Sequence, residues 1–158
     1  MSKRQRTAQP AVRRSRRPID KKLTNVVLAN VQAVQQAVDL YGAATFPGTI
    51  TGLRWSLCFT AGTLTGFGQI RWAIIVLPQN TTASTINVGS GGSLYDPEQM
   101  VLAFGTYGSS STGDTWVVEG QTKSMRKLKA GDKLQFIAFG TASQPITVSG
   151  TVQFFYKT

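Results

Sequence analysis

The chain has no histidine, one cysteine, and only seven acidic residues against 17 Lys and Arg among its 158 positions. The missing histidine removes the usual general base of Ser and Cys nucleophiles and the commonest metal ligand together. A single cysteine, Cys58, cannot close an internal disulfide, and its apolar neighbours predict a reduced thiol in the core. Long apolar runs are also absent. The longest, Trp72 to Leu77, falls far short of the roughly 20 residues that cross a bilayer, so no membrane insertion is expected. The start is charged with no apolar stretch behind it, so no signal peptide is expected and the product should form inside a cell.

The few acids do not assemble into a site. Only Asp96 and Glu98 lie close together. Asp-Pro-Glu reads first as turn chemistry, with a cation held between subunits as the alternative. Ser124-Met125-Arg126-Lys127 has the spacing of an S-x-x-K acyl-transfer motif. That motif needs a helix to bring its ends together, and the surrounding residues read as strand. Gly89-Ser90-Gly91-Gly92 lacks the Gly-Lys-Ser/Thr of a phosphate-binding loop, and Asn80-Thr81-Thr82 is a glycosylation sequon with no expected secretion to use it. No enzymatic activity, metal or cofactor is expected.

What is present is charge of one sign, gathered at one end. Residues 1–22 hold nine Lys or Arg against one acid, a net +8, whereas residues 23–158 hold eight against six, a net +2. With Pro10, Pro18 and no apolar period, 1–22 is expected to be a disordered arm and 23–158 a compact body. The arm's cations are Lys3, Arg4, Arg6, Arg13, Arg14, Arg16, Arg17, Lys21 and Lys22. Arg outnumbers Lys six to three, and its planar fork suits phosphate oxygens and base faces. Such a string points to nucleic acid bound through counterion release, without base-sequence specificity, since no groove-entering module accompanies it. The Arg13-Arg14, Arg16-Arg17 and Lys21-Lys22 pairs would also serve as a nuclear-import address read by a host receptor.

From residue 46 onward the apolar period is two. Leu53, Trp55, Leu57 and Phe59 form one stripe and Ile70, Trp72, Ile74 and Val76 a second. Met100, Leu102 and Phe104 form a third, and Leu134, Phe136 and Ala138 a fourth. The cleanest is Ile146, Val148, Val152, Phe154 and Tyr156, alternating with Thr147, Ser149, Thr151, Gln153 and Lys157. Turn signals separate them at Ala61-Gly62, Gly66 to Gly68, Gly89 to Gly92, Gly108 to Gly113 and Ala130-Gly131-Asp132. Near Gly52 the parity slips by one residue between Ile50 and Leu53, as at a β-bulge. Residues 28–41 are ambiguous, because Leu28, Val31, Val34, Val38 and Tyr41 also fit a docked helix. Their β-branched content favours two strands near 24–32 and 36–42. Several short strands at this spacing predict a sandwich or barrel, with truncation of the last strand expected to unfold it.

Three stretches carry a resemblance. Ala44 to Trp55 (A-T-F-P-G-T-I-T-G-L-R-W), Met125 to Leu134 (M-R-K-L-K-A-G-D-K-L) and the ending Val148 to Thr158 (V-S-G-T-V-Q-F-F-Y-K-T) resemble segments of capsid proteins from small circular, Rep-encoding single-stranded DNA (CRESS-DNA) viruses, as does the Arg-rich start. The resemblance implies an all-β body. It would be a single eight-stranded jelly roll of two packed antiparallel sheets, self-assembling into a small icosahedral (T=1) shell of about 60 copies around single-stranded DNA. It also implies a virion protein that reaches the host nucleus for assembly. At 158 residues the chain is short for that group, which implies trimmed loops.

On the body, five of eight basic residues fall within 123–133, flanking one predicted hairpin. Lys123, Arg126, Lys127 and Lys129 either extend the nucleic-acid-binding surface or guard an edge strand against pairing. Arg54 beside Trp55, and Arg71 beside Trp72, either sandwich a base, pack on a neighbouring subunit, or simply face outward next to a core aromatic. Besides the capsid reading, two others fit: a non-assembling cellular nucleic-acid-binding protein with a basic tail, and a soluble jelly-roll lectin.

Overall fold

The structure, a computed structural model, describes residues 19–45, 47–63, 68–83, 100–123, 125–141 and 145–158. These residues form nine strands and no helix: β1 (Asp20–Val31), β2 (Gln36–Tyr41), β3 (Gly48–Ala61), β4 (Gly68–Leu77), β5 (Met100–Ser109), β6 (Thr115–Thr122), β7 (Arg126–Leu128), β8 (Lys133–Gly140) and β9 (Ile146–Lys157). The two-strand reading of residues 28–41 holds, since the helical spacing there was also compatible with a pair of β-branched strands. Two sheets result. Sheet one has the order β1-β9-β3-β6, with the short β7 also paired to β3, and sheet two has the order β2-β8-β4-β5.

Every pairing is antiparallel. With β7 set aside, the first strand pairs with the last (β1 with β9), the second with the next to last (β2 with β8), then β3 with β6 and β4 with β5. A long hairpin folded over itself in this way is a jelly roll, and rolling adds the β9–β3 and β8–β4 pairings that complete both sheets. The eight long strands match the expected number, although no stripe in the sequence marked β6; β7 adds three residues beside the start of β3. The bulge expected near Gly52 lies at Thr51, which is skipped between the pairs Ile50–Tyr156 and Gly52–Phe155. Its hydroxyl donates to the Phe155 carbonyl at 3.4 Å.

The core lies between the sheets. Ile146, Val148, Val152, Phe154 and Tyr156 of β9 point inward, as do Leu53, Leu57 and Phe59 of β3. Ile70, Trp72, Ile74 and Val76 of β4 and Leu134, Phe136 and Ala138 of β8 meet them from sheet two. Trp72 stacks on Phe136 with centroids 6.0 Å apart and meets Trp55 edge-on at 6.1 Å. At the other end Tyr41 packs against Phe154 and Tyr156 at 5.6 and 5.4 Å. Gly120 of β6 lies under Trp55, where a Cβ would come within 2.3 Å of the indole, so only glycine admits that ring.

Four expectations need correction. The third stripe is out of register: the β4–β5 pairing skips Leu102 between Ile75–Val101 and Ile74–Ala103. Ala103, Tyr107 and Ser109 are therefore buried and Phe104 is 53% exposed. Cys58 is half-exposed, because Leu57 and Phe59 turn inward and the alternation sends the residue between them outward, near Thr60 Oγ1 at 4.0 Å. The turn at Ala130-Gly131-Asp132 closes no hairpin; it carries the chain from β7 in sheet one to β8 in sheet two. Asp132 is buried there, its carboxylate accepting the backbone N–H of Lys129 at 2.8 Å and of Gln79 at 3.3 Å. Lastly, β1 begins at Asp20, inside the segment assigned to the arm, because Asp20, Lys21 and Lys22 pair with Tyr156, Phe155 and Phe154. A charged residue on an edge strand keeps its head in water while its backbone completes the ladder.

Candidate nucleic-acid interface

The face of sheet one turned away from sheet two is built by the residues that alternate with the core. Across the strands the register aligns Lys21 (β1), Phe155 (β9) and Gly52 (β3) in one row. The next row toward the end of β9 aligns Lys157, Thr49 and Lys127, the last supplied by β7. The row on the other side aligns Leu23, Gln153, Arg54 and Gln121. Beyond it come Asn25, Thr151, Ser56 and Glu119. Four cations therefore lie around one aromatic ring at one end of the sheet, and the remainder of the face mixes hydroxyls and amides with exposed Leu23, Val27 and Val117.

Phe155 lies opposite Gly52 on β3, where a Cβ would make ordinary contact with its Cδ2 at 3.7 Å and a closer one, 3.2 Å, with the Thr122 carbonyl. The Arg54 guanidinium stands over the ring at 5.8 Å from its centroid, a cation–π contact. Beside this pair is an open depression lined by Arg54, Ser56, Glu119, Gln121, Thr151 and Gln153. The Trp55 indole stays on the inner side, its Nε1 buried, so Arg54's aromatic partner is the cross-strand Phe155 and not its sequence neighbour.

The cations of this face have no carboxylate partner among the described residues. Glu119 accepts from Ser56 Oγ at 3.2 Å, Asp114 from Ser109 Oγ at 2.8 Å, and Asp132 from backbone. Asp39 accepts from Gln135 and pairs with Lys133 at 3.8 Å, the one ion pair among the described residues. Four like charges on one sheet end with no ion-pair partner among the described residues favour an external anion.

Of the candidates read from sequence, Lys3, Arg4, Arg6, Arg13, Arg14, Arg16 and Arg17 lie outside the described residues, as do Asp96, Glu98, Ser124 and the Gly89 to Gly92 loop. Lys21 and Lys127 are brought onto the outer face together. Lys22 is not; it takes the opposite parity and sits over the Tyr41 ring at 5.2 Å. Arg126 pairs with Ile50, on the inner parity of β3, yet is exposed at the margin, and Lys123 and Lys129 are exposed on either side of β7. Lys157 and Phe155 belong to the face but were not among the sequence candidates, and Arg54, read beside Trp55 as able to sandwich a base, is on the face with Phe155. The outward parity of β9 was the signal for Phe155 and Lys157. No group of three or more metal-ligating side chains occurs among the described residues.

No protein-family model matches the chain, and no curated protein matches it. Among solved structures it is similar to dimeric latent PorU from Porphyromonas gingivalis at 10% identity and a TM-score of 0.40, over 97% of this chain and 14% of that one. It is also similar to the infectious bursal disease virus VP2 subviral particle at 14% identity and a TM-score of 0.22, over 87% of this chain and 42% of that one. Scores at this level carry no argument, and the jelly-roll assignment rests on the strand order itself.

Proposed function

We propose that this chain is a capsid subunit of a small circular single-stranded DNA virus, which closes with copies of itself into an icosahedral shell and holds the DNA through its basic first segment. The observation that carries the reading is the segregation of charge on a jelly roll. Residues 1–18 hold seven Lys and Arg and no acid, and they join the body at Asp20, next to Lys21 on the cationic face of sheet one. The positive charge of the segment is thus joined in sequence to the strand that carries Lys21, and both suit a polyanion. Identical copies of one small domain close most simply as about 60 under icosahedral symmetry. At 17.1 kDa each, that is a particle of about 1 MDa. The paired arginines suit an import receptor, which would place assembly in the host nucleus.

Size and absorbance test this. Purified full-length protein should elute as a particle of about 1 MDa, absorb strongly at 260 nm and appear as closed shells in electron micrographs. Removing residues 1–18, which stops short of β1, should leave the circular dichroism unchanged and strip the nucleic acid. Filaments or free monomers at every salt concentration would overturn the capsid reading. A monomer or small oligomer that releases nucleic acid into salt would favour a non-assembling nucleic-acid-binding protein instead.

A further inference from the structure

We infer that Phe155 is a stacking platform for an unpaired base, and that Lys21, Arg54, Lys127 and Lys157 hold the phosphates on either side of it. The inference rests on the proposed binding of single-stranded nucleic acid and adds to it a defined subsite on the folded body. Its grounds are geometric. The ring stands on the outer face opposite Gly52, with the Arg54 guanidinium 5.8 Å from its centroid. Lys21 is its direct cross-strand neighbour, and Lys157 is two residues along the same strand on the same face. Lys127 is reached from Lys157 across Thr49.

A partly buried aromatic on a sheet surface ordinarily covers apolar neighbours. This one has cations, a glycine and Gln153 around it, with exposed Leu23 in the adjoining row, an arrangement that suits a ligand offering a flat π-face and negative charge within a few ångströms of each other. A nucleotide in a single strand has that form; in a duplex the base faces are already stacked. Gln153 and Gln121 beside Arg54 add donors and acceptors at the edge of the platform without favouring one base, consistent with binding that tolerates any sequence.

The test separates stacking from charge. Full-length protein freed of nucleic acid in high salt is titrated with a fluorescent 12-mer of deoxythymidine and with an abasic 12-mer of equal charge. The titrations run over a salt series, so that affinities can be compared where ionic attraction is screened. Wild type should bind the thymidine strand about tenfold more tightly than the abasic one at high salt. Phe155→Ala should lose that preference while keeping the same salt slope, because no charge has changed, and Phe155→Tyr should retain it. Circular dichroism of both variants excludes unfolding as the cause. On ultraviolet irradiation of nucleic-acid-loaded wild type, a nucleotide adduct should map to the peptide containing Phe155. Equal affinity of wild type for the two strands, or an unaltered preference in Phe155→Ala, would overturn the platform while leaving the packaging reading intact. Failure of wild type to bind either strand at low salt would overturn the packaging reading itself.

Discussion

The two sheets share one core yet treat their other faces in opposite ways. Sheet one turns Thr147, Ser149, Thr151, Gln153, Ser56 and Thr60 outward, half-exposed and polar. Sheet two turns outward Ala73, Ile75 and Leu77 of β4 and Ile137 and Phe139 of β8, all buried, with Ala83 beyond β4 and Val101 of β5 packed against them. A strand wetted on one face must alternate, as β9 does, whereas a strand covered on both reads as a continuous apolar run, as Trp72 to Leu77 does. The difference teaches that β4 and β8 are the most deeply held strands of the body. Sheet one keeps a free face on which charge can be displayed at little cost in packing.

Placing a charge on either side of one strand of sheet one should have the largest effect. Phe154→Asp puts a carboxylate between the sheets without a partner, a penalty of several kcal/mol. That is comparable with the roughly 5–15 kcal/mol by which a domain is stable. Soluble folded protein should be lost, whereas Phe155→Asp, one residue on and facing outward, should remain folded by circular dichroism. Equal harm from both would break the assignment of faces. Next comes a comparison of the two outer faces. Ile75→Ala should lower stability by about 2–5 kcal/mol, and Thr147→Ala by no more than about 0.5 kcal/mol, read from denaturant midpoints. If Ile75→Ala is as mild as Thr147→Ala, the second face of sheet two is not a packed layer.

The smallest effect is electrostatic and belongs to the Tyr41–Tyr156 contact. Burial, and then the Tyr41 phenol beside it, hold the Tyr156 phenol above its ordinary value of 10.0. The unfolded chain ionises first as pH rises through 10, so it binds fewer protons than the folded one and stability falls. Below pH 10 this group contributes no pH dependence. Denaturant midpoints measured from pH 8 to 11 should bend downward near the top of that range, and Tyr156→Phe should flatten the bend.

Much of the body was legible in the chain because its strands alternate: β9 does so without interruption, β8 keeps the inward stripe Leu134, Phe136 and Ala138 although Ile137 and Phe139 on its other face are apolar too, and β3 breaks it once, at the bulge that the Ile50–Leu53 parity slip announced. The misreadings have a common physical origin, in that they depend on what lies across the ladder. Cys58 looked like core because its sequence neighbours are apolar, but neighbours in a strand face opposite ways. The Met100 to Phe104 stripe is interrupted by a skipped residue whose cause lies in the pairing with β4. Dense charge, two prolines and the lack of an apolar period put the arm's boundary at residue 22, but none of these prevents an edge strand from forming at Asp20. Of the candidate interface, the charges of Lys21 and Lys127 were visible and the outward parity of Phe155 was inferable. Their meeting was not, because it needs the register of four strands that are far apart in the chain.

That register also imposes an order in time. β1 ends at Val31 and its partner β9 starts at Ile146, about 115 residues later. At a synthesis rate of roughly 5–20 residues per second, β1 waits on the order of 6–23 s on the ribosome before its ladder can form. The four cations and the ring come from β1, β3, β7 and β9, so their shared surface does not exist until the last strand has been made. The cationic face is thus a late product of folding, available only once β9 has joined the sheet.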